Sequence, residues 1–199
     1  MAAIVRCVGL AESPDASPDA RAMPVPAADC EATRRGERTM PQRPRECVFR
    51  WISQPTDVNW GGKVHGGMVM KWMDQAAYAC AVGWCGGYAV TASVGGMSFL
   101  KPIHIGDVVE VRARVILTGT TSLHIAVDVD AIDPRTQVRT RTTRCVMVFV
   151  ALSDDGKVTP VPAWQPLSEE DRRLADYAAR LKALRSDLDA ELYAHCSEC

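Results

Sequence analysis

The sequence predicts an α+β domain: one long enclosed helix, an antiparallel meander, and an amphipathic helix near the C-terminus. Three observations carry this. Between about residues 67 and 83, apolar side chains point in every direction of the helical cycle, as in a helix enclosed by other structure. From about residue 89 onward, long stretches alternate apolar with polar residues and are joined by short turns, the pattern of antiparallel strands with one buried face. After Ser168, Leu174, Ala178, Leu181, Leu184 and Leu188 recur at spacings of three or four, which draws an apolar stripe along a helix.

Composition narrows the class. With 199 residues, 47% hydrophobic and 24% charged, the chain suits one globular domain with tails. A net charge of -1 gives no nucleic-acid footprint. No apolar run is long enough to span a bilayer, and "MAAIVRCVGLAES" lacks the apolar core of a secretory signal, so no membrane partner is expected. The eight cysteines lie mostly in apolar runs or tails, which reads as reduced thiols in the cytoplasm rather than a disulfide framework. Cys196 and Cys199 form a CxxC without a second pair at zinc-ligand spacing, so no metal site is expected.

Residues 1–44, rich in Pro, Ala, Asp and Arg without a sustained period, are expected to be a disordered extension. Met40 is a second candidate start of translation. Residues 45–165 form the domain, and residues 166–199 the C-terminal helix and tail.

Taken in order, the domain opens with a strand at about 46–52, then a loop carrying Pro55, Asn59 and four glycines, then the helix at about 67–83. The strand "YAVTASVGGMSFLKP" follows. In "GDVVEVRARVILT", Val109, Val111, Ala113, Val115 and Leu117 alternate with Glu110, Arg112 and Arg114. The turn "GTT" leads into "SLHIAVDVDAI", and "DPRTQ" into a last strand that becomes continuously apolar from Cys145 to Leu152. That half should be buried on both sides, at the sheet centre or in a subunit interface. Ser168 followed by Glu169, Glu170 and Asp171 makes an N-cap and an acidic first turn for the tail helix.

The enclosed helix has few polar residues: Lys71, Asp74, Gln75 and Tyr78. Positions 71, 74 and 78 share one stripe. This admits two readings, a water-facing Lys71–Asp74 ion pair or a site. For a site speaks "GGKVHGG", whose glycines permit close approach and whose amides at the helix start favour an anionic or carbonyl oxygen. Asn59 adds a side-chain amide that can hold water or a carbonyl. His65 fits either a base or a turn role, and Cys80 and Cys85 have no sequence-local activator and read as inert buried thiols.

The run "NWGGKVHGGMVMKWMDQAA", followed by "VTASVGGMSFLKPIHIGDVVEV", "TGTTSLHIAV" and "VFVALSDDGKVTPVP", resembles the hotdog-fold acyl-CoA thioesterases of the YciA and brain acyl-CoA hydrolase type. The resemblance spans about residues 45–165. It implies a long helix wrapped by a curved antiparallel sheet, and an enzyme that hydrolyses acyl-CoA to a free fatty or other carboxylic acid and CoA. It needs no cofactor, since CoA is part of the substrate.

By the same resemblance, Asp74 is the general base or nucleophile, and Asn59 of a neighbouring unit orients water or the carbonyl. The amide of Gly66 or Gly67 would stabilise the oxyanion. Thr91, Ser93, Lys101, Thr121, Ser122, Arg144 and Lys157 are candidates to meet substrate, with His65 nearby. Met68, Trp72, Met97 and Phe99 would set the depth of the acyl channel. One hotdog unit per chain implies a homo-oligomer, at least a dimer, and similar proteins often form hexamers as trimers of dimers. Two other outcomes compete: a hotdog hydratase or dehydratase using His65 with Asp74, and a non-catalytic acyl-CoA sensor.

Overall fold

The computed structural model describes residues 43–196. The expected disorder of the N-terminal extension, the Met40 start, Cys7, Cys30 and the terminal CxxC pairing lie outside the described residues. The chain forms β1 (Glu46–Ile52), a 3-10 turn (Pro55–Asp57), α1 (Gly66–Cys85), β2 (Ala89–Phe99), β3 (Val108–Thr118), β4 (Ser122–Ile132), β5 (Arg139–Ala151) and α2 (Glu169–Cys196).

The five strands make one antiparallel sheet in the order β1-β3-β4-β5-β2. β1 and β2 are consecutive in sequence yet lie at opposite edges, so α1, which joins them, must cross a face of the sheet. Irregular register at Thr91/Ser93, Gly95/Ser98, Val115/Leu117 and Val129/Asp130 adds curvature, as bulges do. The result is the helix wrapped by a curved sheet that the resemblance implied.

Alternation decides which side chains meet α1. Val109, Val111, Ala113 and Val115 of β3, Ile125, Val127 and Val129 of β4, and Cys145, Met147 and Phe149 of β5 are buried in one cluster with Val69, Trp72, Met73, Ala76, Ala77, Cys80 and Ala81 of α1. The two alanines matter because a small Cβ lets the helix axis approach the sheet closely. Trp72 stacks on Trp51 of β1 with ring centroids 5.9 Å apart, so it is a core residue and not an exposed channel wall.

The expectation that α1 is buried all round is corrected. Gly67, Met70, Lys71, Gln75 and Tyr78 are exposed, and Asp74 is half-buried. These lie on one face, beside the free edge of β2, where Val94 and Phe99 are also exposed. A single sheet can cover only one side of a helix, so an apolar opposite side calls for another covering element.

The outer face of the sheet carries charges. Glu110 is 2% exposed and is held by Arg50 at 2.7 Å and by Arg139. Asp128 accepts from Arg141 at 2.7 Å and Arg144 at 2.6 Å. The first half of α2 lies on the remaining apolar part, where Leu174, Ala178 and Leu181 meet Ile116 and Val146. The last strand is therefore covered on both sides over Cys145–Met147, by α1 inside and α2 outside. Ser168 caps α2, its hydroxyl accepting from Asp171 N at 3.1 Å. Asp171 in turn receives Arg45, whose guanidinium also lies 4.5 Å from the ring centroid of Trp164.

Hydrogen bonds from Arg139 and then Arg50 outweigh burial and hold the Glu110 carboxyl at about 2, against an ordinary 4.5. A depressed folded-state pKa contributes stability that is present above the unfolded value and lost as pH falls through the folded one. The unfolding midpoint should therefore decline between about pH 4.5 and about pH 2. Glu110→Gln should cost about 3 kcal/mol at neutral pH, because it leaves guanidinium groups without their shared anion, and should flatten that acid limb. Thermal melts of both proteins across this pH range check it.

Candidate active site

α1 begins abruptly because His65 caps it. The His65 side chain accepts from Met68 N at 3.0 Å, so its Nδ1 is committed to the helix start and the turn role is the one realised. Before it, Val58 and Val64 bridge and residues 59–63 form a tight loop. Asn59 N donates to Lys63 O at 2.7 Å, and Asn59 Oδ1 accepts from Gly61 N at 2.9 Å. Gly62 has a φ of 70°, a left-handed value that glycine adopts without penalty. The Asn59 carbonyl oxygen is thus spent on its own loop, while its Nδ2 group has no partner among the described residues and stands exposed.

The amides of Gly66 and Gly67 occupy the first turn, where no intrahelical acceptor exists, and neither has another partner among the described residues. A Cβ at Gly66 would lie 3.2 Å from Phe99 Cζ, so glycine is what lets the β2 terminus close against the helix start. A cleft of about 350 Å³ opens here, lined by Lys63, Gly66, Val69, Phe99, Lys101 and Thr143 among others.

Asp74 sits two turns into the helix. The Lys71–Asp74 ion pair is not formed. Instead Thr91 Oγ1, across on β2, donates to Asp74 Oδ1 at 2.6 Å. One carboxylate oxygen is thereby fixed and the other has no partner among the described residues. Thr91 was a candidate for meeting substrate, and its 17-residue separation from Asp74 gave no sequence signal of this contact.

The remaining candidates divide. Lys101 and Phe99 stand at the cleft with Gly66, while Met68 and Met97 pack against the core. Ser93 and Ser122 line a groove under α2, on the sheet face opposite α1. Thr121 O accepts from Ala151 N at 3.0 Å in the β3–β4 turn. Arg144 is paired with Asp128, and Lys157 with Asp155 at 2.6 Å. Asn59 and Asp74 share no contact within the chain. Among the described residues no three His, Cys, Asp or Glu side chains cluster as metal ligands.

Residues 61–138 match the model of the thioesterase superfamily. The acyl-CoA thioester hydrolase YciA of Salmonella typhimurium is 38% identical over 62% of this chain and 96% of its own length. A hexameric acyl-CoA thioesterase crystal structure superposes with a TM-score of 0.71 at 32% identity, covering 73% of this chain and 94% of that one. An acyl-CoA hydrolase from Staphylococcus aureus, solved with butyryl-CoA and CoA, gives 0.71 at 28% identity, covering 77% and 93%. Variants of that enzyme replace by alanine an asparagine, an aspartate and a threonine separated by 15 and 17 residues, the separations of Asn59, Asp74 and Thr91 here. On this identity and coverage, the chain belongs to the thioesterase superfamily, among the hotdog-fold acyl-CoA thioester hydrolases.

Proposed function

We propose that this protein hydrolyses acyl-CoA to a carboxylic acid and CoA, with Asp74 as general base in a site shared between two copies. The observation that carries the reading is the Thr91–Asp74 hydrogen bond, which orients a carboxylate and leaves its second oxygen for a water molecule. Asp74 Oδ2 takes a proton as that water attacks the thioester carbon. The carbonyl oxygen gains charge and is met by an N–H at the start of α1, and the thiolate of CoA leaves. The step needs no cofactor. Asn59 Nδ2, exposed and without a partner among the described residues, is the group we assign to hold the water or carbonyl.

Distance supports sharing. Gly66 and Asp74 are eight residues apart, about 12 Å along a helix axis, more than one attacking water and one carbonyl span. The oxyanion donors of one copy therefore work with Asp74 of another. The exposed face of α1 and the free edge of β2 fit this arrangement, because a second copy there covers Met70, Tyr78 and Val94 and supplies β2 with hydrogen-bond partners. A trimer of such dimers, a hexamer as in the related structures, is the assembly we expect. No helix among the described residues is long and apolar enough to cross a membrane, and we assign the reaction to the cytoplasm, where acyl-CoA meets reduced thiols.

Asp74→Ala should lower kcat for CoA release by a hundredfold or more, on the order expected for losing a general base. Full activity in that variant would sink the mechanism. Thr91→Val should cost about tenfold in kcat with little change in KM, the signature of a positioning bond. Mixing unfolded Asn59→Ala and Asp74→Ala chains and reassembling them should restore about a quarter of wild-type activity, since hybrid dimers hold one intact site. No recovery on mixing would refute the shared site.

A further inference from the structure

Outside the hydrolytic site, two thiols from distant parts of the chain face each other. Cys47 lies on β1, a half-buried position on an edge strand, and Cys80 is 2% exposed in the penultimate turn of α1. Their bonds interlock: Cys47 Sγ donates to Ala76 O at 3.1 Å, and Cys80 Sγ to Arg45 O at 3.2 Å. Each sulfur thus reaches the backbone beside the other. Ala76 is one turn before Cys80, and helical side chains lean toward that preceding turn, so the Cys80 sulfur lies over the spot that Cys47 touches. The two thiols are near enough that each shifts the other's ionisation, Cys47 downward and Cys80 upward. The other described cysteines differ: Cys85 donates to Gly87 O in its own loop, and Cys145 is buried in the core.

We propose that Cys47 and Cys80 are an oxidation site, closing a reversible disulfide between β1 and α1 when the protein meets a peroxide. In the first step the Cys47 sulfur attacks one peroxide oxygen, the O–O bond breaks, one water leaves, and Cys47 becomes a sulfenic acid. In the second, the Cys80 sulfur attacks the Cys47 sulfur, the S–O bond breaks, and a second water leaves. Two thiols lose two electrons and two protons, and the peroxide is reduced to two waters. Cys47 is the first to react because it is the accessible partner, and the Cys80 thiol holds it below the usual thiol range, while the same contact and burial push Cys80 up. Cys80 is buried as expected, and the fold adds to it a partner thiol, 33 positions away in sequence, that no local pattern signals. In a reducing compartment such a bond is transient.

The test treats the full chain with hydrogen peroxide, blocks remaining thiols with an alkylating agent in denaturant, and maps tryptic peptides without reduction. The expected product joins the peptide carrying Cys47 to the one carrying both Cys80 and Cys85, lighter by two hydrogens, with fragmentation placing the bond on Cys80 and dithiothreitol undoing it. Cys80→Ser should instead leave a Cys47 sulfenic acid that dimedone captures, and Cys47→Ser should lose the crosslink while keeping the basal hydrolysis rate. A bond to Cys85, or alkylated Cys80 alongside over-oxidised or unreacted Cys47, would overturn the proposal. The wild-type map alone decides this if a variant fails to fold.

Discussion

The constraint on which the structure depends is the crossing of α1 from one edge of the sheet to the other. Because β1 and β2 flank the sheet and only α1 and its loops join them, the helix has to lie against β3, β4 and β5. Its packed side must then be apolar and, where it comes nearest, small. Met73, Ala76, Ala77 and Ala81 are fully buried there. The same crossing shapes the candidate site: it puts the helix start beside the end of β2 at Phe99, and Asp74 beside Thr91.

The outer face obeys a different economy. Its arginines and carboxylates neutralise one another across β1, β3, β4 and β5, with Glu110 and Asp130 each shared between two or more guanidinium groups. A buried carboxylate is tolerable when several cations bind it and costly otherwise. Arg45 and Asp171 extend this principle along the chain, tying the segment before β1 to the start of α2 and so holding both ends of the domain on one sheet. The half of α2 that reaches the sheet is the half with Leu174, Ala178 and Leu181. Beyond it Leu184 and Leu188 remain exposed.

Cys80 and Asp74, the carboxylate proposed as base, share α1 but not a face. Asp74 belongs to the open stripe with Lys71 and Tyr78, whereas Cys80 belongs to the buried side with Ala76 and Ala77. Neither side chain contacts the other, so a thiol map and a hydrolysis assay test the two proposals separately.

By itself the sequence determined the elements and their order. Alternation is a local property, so Val109 to Leu117 could be read as a half-buried strand and Ser168 as a cap, and the polar stripe with Asp74, the glycines before it and the family resemblance singled out a candidate site. The tertiary structure decided everything that rests on contacts between distant residues. Thr91 holds Asp74, Arg45 holds Asp171, Cys80 meets Cys47, and Trp72 faces Trp51 in the core, and none of these pairs has a periodic signature. It also decided which side of α1 stays open: the 3.6-residue pattern records that a side is apolar, but only the position of the sheet says whether this chain or another copy covers it.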